Sequence, residues 1–127
     1  MKPIEIYSLK TSKHGIYILN NAAIVYKKAF SGTYPYSRVT IKLLLPIETI
    51  VNLTEKKCRA SRAIVLEITK TGKKDRFVTA CSIYDNNFKY VVGETVHPKK
   101  PFDMSREQCG SGIHFFRTLK EAREYAL

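Results

Sequence analysis

Acidic residues are scarce: 11 aspartates and glutamates stand against 22 lysines and arginines in 127 residues, a formal net charge of +11. That imbalance argues against a cationic partner and for an anionic one: nucleic acid, a membrane surface or an acidic protein. Cysteine is scarce too. Cys58, Cys81 and Cys109 are odd in number and form no C-x-x-C pair. A disulfide scaffold is therefore disfavoured, and so is the paired ligand spacing of a structural zinc site. Long apolar runs are missing as well. The longest aliphatic block, 39–50, is interrupted by Lys42, Pro46, Glu48 and Thr49, which excludes a bilayer-spanning helix. The opening MKPIEIYSLK lacks the apolar stretch of a secretory signal, so the expectation is an intracellular protein, not a secreted one. There are no repeats and no low-complexity segment. A hydrophobic fraction of 44% over this length is enough for one globular domain, residues 1–127.

What is present is mostly strand signal. Residues 4–9 alternate apolar and polar side chains, and 15–19 and 22–26 read as two further strands joined at the turn-prone pair Asn20-Asn21. SGTYPYS (31–37) is a loop by composition. Residues 38–45, β-branched early and mostly apolar, read as a central strand that Pro46 ends. RAIVLEITK, TGKKD and RFVTACSIY predict a hairpin. A short strand follows at 88–92. Next comes GETVHPKKPFDMSREQCGSG, 20 residues without regular pattern, long enough for a connection to suggest function or tight packing. Residues 113–116 read as a strand. Thr118 with Glu121 forms a capping box ahead of a helix whose Leu119, Ala122 and Tyr125 share one face. The expected fold is α+β: a mainly antiparallel twisted sheet or half-barrel, with one C-terminal capped helix packed on it.

Five segments taken together point further: Val25-Tyr26-Lys27-Lys28, residues 41–46, KCRASRAIVLEI (57–68), YVVGETVHPKKPFD (90–103) and the run from CGSGIHFF to Tyr125 (109–125). In this order they resemble a domain of unknown function shared by giant DNA viruses and some pentapeptide-repeat proteins. The resemblance covers roughly residues 22–127. It departs from the family's pattern before Cys109, where DMSREQC lacks the tryptophan many relatives carry; the chain has no tryptophan and no pentapeptide array. It is similar to the free-standing viral form. The resemblance implies a setting, the virion or the cytoplasm or nucleus of an infected host cell, and no reaction.

The function expected from the charge is a small, non-enzymatic accessory protein acting through a basic surface. Candidate phosphate-contacting residues are Lys56, Lys57, Arg59 and Arg62 around Cys58; Lys70, Lys73, Lys74 and Arg76 at the hairpin; and Arg117, Lys120 and Arg123 at the last helix. Lys99 and Lys100 add charge to the long loop, and Tyr34 and Tyr36 beside Arg38 could stack on bases. The partner would be a DNA or RNA backbone read without sequence preference, or an acidic host protein; no membrane and no cofactor is expected. The oligomeric state stays open, a dimer included. The alternative is an enzyme or degenerate enzyme with a pocket around Cys109, His114 and the 93–112 loop. Cys109 and His114 could pair as thiol and imidazole, and the GIHFFRTLKEA segment resembles a strand–helix element of ADP-ribosyltransferase folds, with Glu94 as its acidic residue. A zinc site would need Cys58, Cys81, Cys109 and His114 to converge. The plainer alternative makes CGSG a tight turn and His114 a satisfied strand residue. The acceptor triplet Asn52-Leu53-Thr54 is discounted for want of a signal sequence.

Overall fold

A computed structural model describes residues 4–5, 14–32, 36–55, 57–83, 87–105, 107 and 110–125. Among the described residues twelve strands and one helix follow in chain order: β1 (Ile4–Glu5), β2 (Gly15–Ile18), β3 (Ala23–Ser31), β4 (Ser37–Leu45), β5 (Ile50–Leu53), β6 (Cys58–Ala60), β7 (Ala63–Lys70), β8 (Arg76–Phe77), β9 (Thr79–Cys81), β10 (Lys89–Val91), β11 (Thr95–Val96), β12 (Ile113–Phe115) and α1 (Leu119–Glu124). The larger sheet runs β10-β9-β3-β4-β7-β11, with β1 parallel beside β3 and β8 antiparallel beside β7; the smaller runs β12-β6-β5-β2. All pairings but that of β1 with β3 are antiparallel. The expected mainly antiparallel sheet with one short C-terminal helix is therefore present.

Period-two patterning builds the core. On β4, Val39, Ile41, Leu43 and Leu45 are all fully buried. On β3 the same side is filled by Ala23, Val25 and Ala29. On β7 the buried residues are Ala63 and Val65, then Ile68, so the inward parity changes partway. The cause is a β-bulge. Lys42 pairs with Glu67 while Leu43 pairs with Val65, which leaves Leu66 without an opposite number and 38% exposed. Both sheets feed one hydrophobic cluster. They are tied where Tyr26 and Phe116 exchange backbone hydrogen bonds, 3.0 Å and 2.7 Å long.

Three expectations change in detail. The strands flanking Asn20-Asn21 part company: β2 pairs with β5 in the smaller sheet and β3 with β4 in the larger, so the pair turns a corner between sheets. RFVTACSIY is not one strand. Only Arg76 and Phe77 pair back onto β7; Thr79–Cys81 leaves to join β3 and β10. β5 and β6 add strands where no element was expected, β6 within the basic segment around Cys58. Their side chains point into protein on both faces: Val51, Asn52, Leu53, Cys58, Arg59 and Ala60 are all buried.

The helix is capped at both ends. The Thr118 hydroxyl accepts from the Glu121 backbone N–H at 3.2 Å and donates to the Glu121 carboxylate at 2.9 Å. At the other end the Lys28 ammonium, on a side chain 5% exposed, donates to the carbonyls of Arg123 and Tyr125 at 2.6 and 3.1 Å. A cation there satisfies orphan carbonyls and meets the negative end of the helix dipole. Six residues do not hold a helix alone, so these caps fasten it to β3. Thr118→Ala is expected to cost about 1 kcal/mol, read as a fall in thermal midpoint of a few degrees. An unchanged midpoint would show that the Lys28 end alone holds α1.

Candidate functional site

The expected basic surface divides when its residues are located. Lys70, Lys73, Lys74 and Arg76 are all exposed and share the β7–β8 hairpin. Arg38 joins them, because Val39 pairs with Lys70 and the Arg38 carbonyl accepts from the Thr71 N–H at 2.9 Å. Exposed Tyr36 precedes β4 at the same end, its ring 6.1 Å from that of Phe30. None of the five cationic side chains bonds to another described residue. Lys120 and Arg123 are exposed on α1. Arg62 donates to the Ile47 carbonyl at 2.9 Å, and Arg117 to the Thr54 carbonyl at 2.5 Å and the Cys58 sulfur at 3.4 Å. Lys56, Tyr34 and Cys109 lie outside the described residues.

Arg59 leaves the phosphate-contacting set altogether. Its side chain is 0% exposed. Its guanidinium donates to four backbone carbonyls: Glu107 at 2.8 Å, Asp103 at 2.5 Å, Ser111 at 3.0 Å and Ser105 at 2.6 Å. The Phe102 ring lies 4.8 Å away. Burial pushes the guanidinium pKa down, while the carboxylates of Asp103 and Glu107 work the other way. Asp103 is held below the usual carboxylate range by hydrogen bonds from Ser105 and by the Arg59 charge. A planar fork with five donors suits this task, and an ammonium would not. The long loop is thus coiled around a buried cation that supplies the hydrogen bonds a sheet would otherwise provide.

That packing explains the two glycines of CGSG. A Cβ on Gly110 would lie 2.5 Å from the Asp103 carboxylate and 2.9 Å from the Arg59 guanidinium carbon; one on Gly112 would meet the Arg59 Cβ at 3.0 Å. The loop closes over Arg59 only where these positions lack a side chain. Asn52, opposite Arg59 on β5, is 1% exposed and donates to the Glu107 carbonyl at 3.2 Å, so its amide serves the same loop and not a glycan.

Held in this way, the loop forms one wall of a cavity of about 750 Å3, bounded also by β3, β10, β12 and the end of α1. Lys27, Lys28, Lys57, Lys99 and Lys100 line it, and no aspartate or glutamate does so among the described residues. Aromatic rings form the rest of the wall. Phe88 and Tyr90 make a tilted pair 5.2 Å apart, and Phe116 and Tyr125 another 5.1 Å apart. The Lys27 ammonium donates to the His114 carbonyl at 2.9 Å and stands 6.0 Å from the Tyr90 ring. Lys57 donates to the Tyr125 hydroxyl at 3.0 Å and sits 4.8 Å from its ring centre. Burial and the neighbouring Lys57 charge bring the Lys27 pKa from 10.5 to about 8. Burial raises the Tyr90 phenol above its ordinary value. The enzymatic alternative drew a pocket around Cys109, His114 and the 93–112 loop; His114 and part of that loop line this cavity, Cys109 lies outside the described residues, and the lysines of β3 were not foreseen. The signal was available: two adjacent cations inside an otherwise apolar strand, where alternation puts at least one of them inward.

A family model matches residues 7–122, from the residues before β2 through most of α1. The chain belongs to a family of unknown function (DUF5758). It is similar to "Uncharacterized protein L223" of Acanthamoeba polyphaga mimivirus, with 31% identity over 145 residues covering 93% of this chain and 92% of the relative. No solved structure matches it. The family membership and the giant-virus relative agree with the giant-virus half of the resemblance carried by the five motifs; the link to pentapeptide-repeat proteins does not appear in these matches. The matched span contains the Arg59 knot and the described cavity wall as far as Phe116.

Cys109, the thiol of the enzymatic alternative, lies outside the described residues, and so does its pairing with His114. The other residues of the enzymatic and zinc alternatives are His114, Cys58, Cys81 and Glu94. His114 lines the cavity from β12, its backbone opposite Arg59. Cys58 is buried on β6 of the smaller sheet, and Cys81 lies on β9 of the larger. Glu94 is exposed in the turn before β11, where its carbonyl accepts from Val65, and is not part of the cavity wall.

Proposed function

We propose that this protein is a non-enzymatic accessory protein of a large DNA virus that binds the phosphate backbone of nucleic acid without reading sequence, in the virion or in the infected cell. The observation that carries this is the exposed cluster at one end of the larger sheet: Arg38, Lys70, Lys73, Lys74 and Arg76, with Tyr36 beside them. Asp75 is the lone acidic residue between Ile68 and Phe77, the paired arms of that hairpin. Five exposed cations that bond to no other described residue are placed to replace the counterions of a polyanion, while sequence reading would need side chains held for base edges. An acidic host protein would meet the same charges and is the second outcome of the test.

Binding to an arbitrary labelled duplex should fall steeply between low and moderate salt. The triple variant Lys73→Glu, Lys74→Glu, Arg76→Glu should lower the salt slope by about 3 and weaken binding at least tenfold. Those side chains are exposed, so its melting temperature should stay within a few degrees of the parent. Absence of duplex binding at low salt would overturn the nucleic-acid reading and leave the acidic protein. Binding unchanged in the triple variant would move the contact away from the hairpin.

A further inference from the structure

The cavity is a separate feature from the hairpin, and its composition is unusual. A solvated basic surface keeps lysines apart; here the Lys27 and Lys57 charges are close enough to disfavour one another, inside walls that are largely hydrocarbon. Charge repulsion in a poorly hydrated site is unfavourable in the empty protein and is relieved when an anion enters. An inorganic anion would meet the ammonium groups but leave the aromatic walls uncovered. An apolar molecule would cover the walls and leave the charges unmatched. A ligand that satisfies both has a flat, weakly polar body and at least two negative charges. The volume falls within the range of small-molecule sites.

We propose that this cavity is a binding site for a nucleoside phosphate, either a free nucleotide or the phosphorylated end of a strand. The base lies against the Phe88–Tyr90 side and the phosphates meet Lys57, Lys99 and Lys100. Lys99 and Lys100 are exposed on the loop that Arg59 organises and line the cavity. An ammonium group retains donors after one protein contact, so the bond of Lys27 to the His114 carbonyl does not exhaust it. Aromatic faces accept any base, which makes the site selective for phosphorylation over base identity. The proposal goes beyond the backbone reading and does not depend on it, because the two use different residues.

The test is calorimetric titration of the full chain at about 50 mM salt with ADP, adenosine, tripolyphosphate, and a short single strand with and without a 5′-phosphate. ADP or the phosphorylated strand should bind at least about tenfold more tightly than adenosine and tripolyphosphate. The tighter of the two identifies the source of the nucleotide. The variant Lys99→Glu, Lys100→Glu changes two exposed side chains, whose loss should leave the fold intact; it should weaken that binding about tenfold or more. Phe88→Leu, which removes the ring but keeps an apolar wall, should weaken ADP and leave tripolyphosphate unchanged. The hairpin triple variant should bind ADP as the parent does. Tripolyphosphate binding as well as ADP, or ADP binding lost in the hairpin variant and kept in the Lys99, Lys100 variant, would overturn the site. Duplex binding would be untouched by that result, so the two readings fail separately.

Discussion

Replacing Arg59 with methionine should be the most damaging single change in the molecule. Methionine keeps the apolar stem and removes the guanidinium, which takes a donor from the carbonyls of Asp103, Ser105, Glu107 and Ser111; Glu107 keeps the Asn52 amide and Ser111 the Asp103 N–H. Each buried carbonyl left unsatisfied costs about 1–3 kcal/mol. Ser105 and Glu107 are themselves exposed, so water can serve part of the loop and the lower end applies to each. A total of about 3 kcal/mol in a domain of this size corresponds to a fall in thermal midpoint of about 10 °C. Arg59→Lys should recover only a fraction, because one ammonium cannot span four carbonyls fixed by a planar fork. Limited proteolysis supplies the local reading: cleavage within 98–112 should precede global unfolding in the methionine variant. A methionine variant that melts with the parent would show that the loop is held by its own turns and that Arg59 is incidental.

The same residue marks the limit of what the sequence tells. The strand run 38–45, the capped helix at Thr118 and the antiparallel character follow from period-two patterning, from Pro46 and from a four-residue capping signal. These are local physics, legible without the fold. Arg59 sits in KKCRASR, where composition says surface. Its burial is decided by partners 44 to 52 residues away, and no local pattern encodes them. The glycines Gly110 and Gly112 were visible as a tight feature, but what they approach was not. The split at Val78 was hidden for a similar reason: RFVTACSIY has strand propensity throughout, and the competing edges offered by β3 and β10 decide where it pairs. The cavity was half legible. The long loop and His114 indicated it, while Lys27 and Lys28 looked like part of a general positive charge until their strand was placed at the centre of the sheet.

Lys27→Met is expected to stabilise the protein at neutral pH, and the stabilisation should vanish in alkali. Burial and Lys57 lower the Lys27 pKa from 10.5 to about 8. Below pH 8 the amine is charged both folded and unfolded, and the folded state bears the full cost of holding that charge. Between about 8 and 10.5 the folded protein has released the proton and the unfolded chain has not. The unfolded state then binds more protons, so stability rises with pH across this window. Tyr90 acts in the opposite sense above it. Its buried phenol stays protonated where the unfolded one ionises, near 10, so stability falls once that pH is passed. The parent should therefore melt highest between pH 9 and 10, and the methionine variant should show little of the rise from neutrality. The shift alone corresponds to about 3 kcal/mol; losing the bond to the His114 carbonyl returns about 1, for a net gain of about 2 kcal/mol at pH 7. A variant less stable than the parent at pH 7 would mean that this bond outweighs the desolvation of the ammonium. A gain, together with weaker nucleotide binding, is the outcome expected when a lysine is kept for what it binds at the expense of the fold. It would place Lys27 inside the site and not merely beneath it.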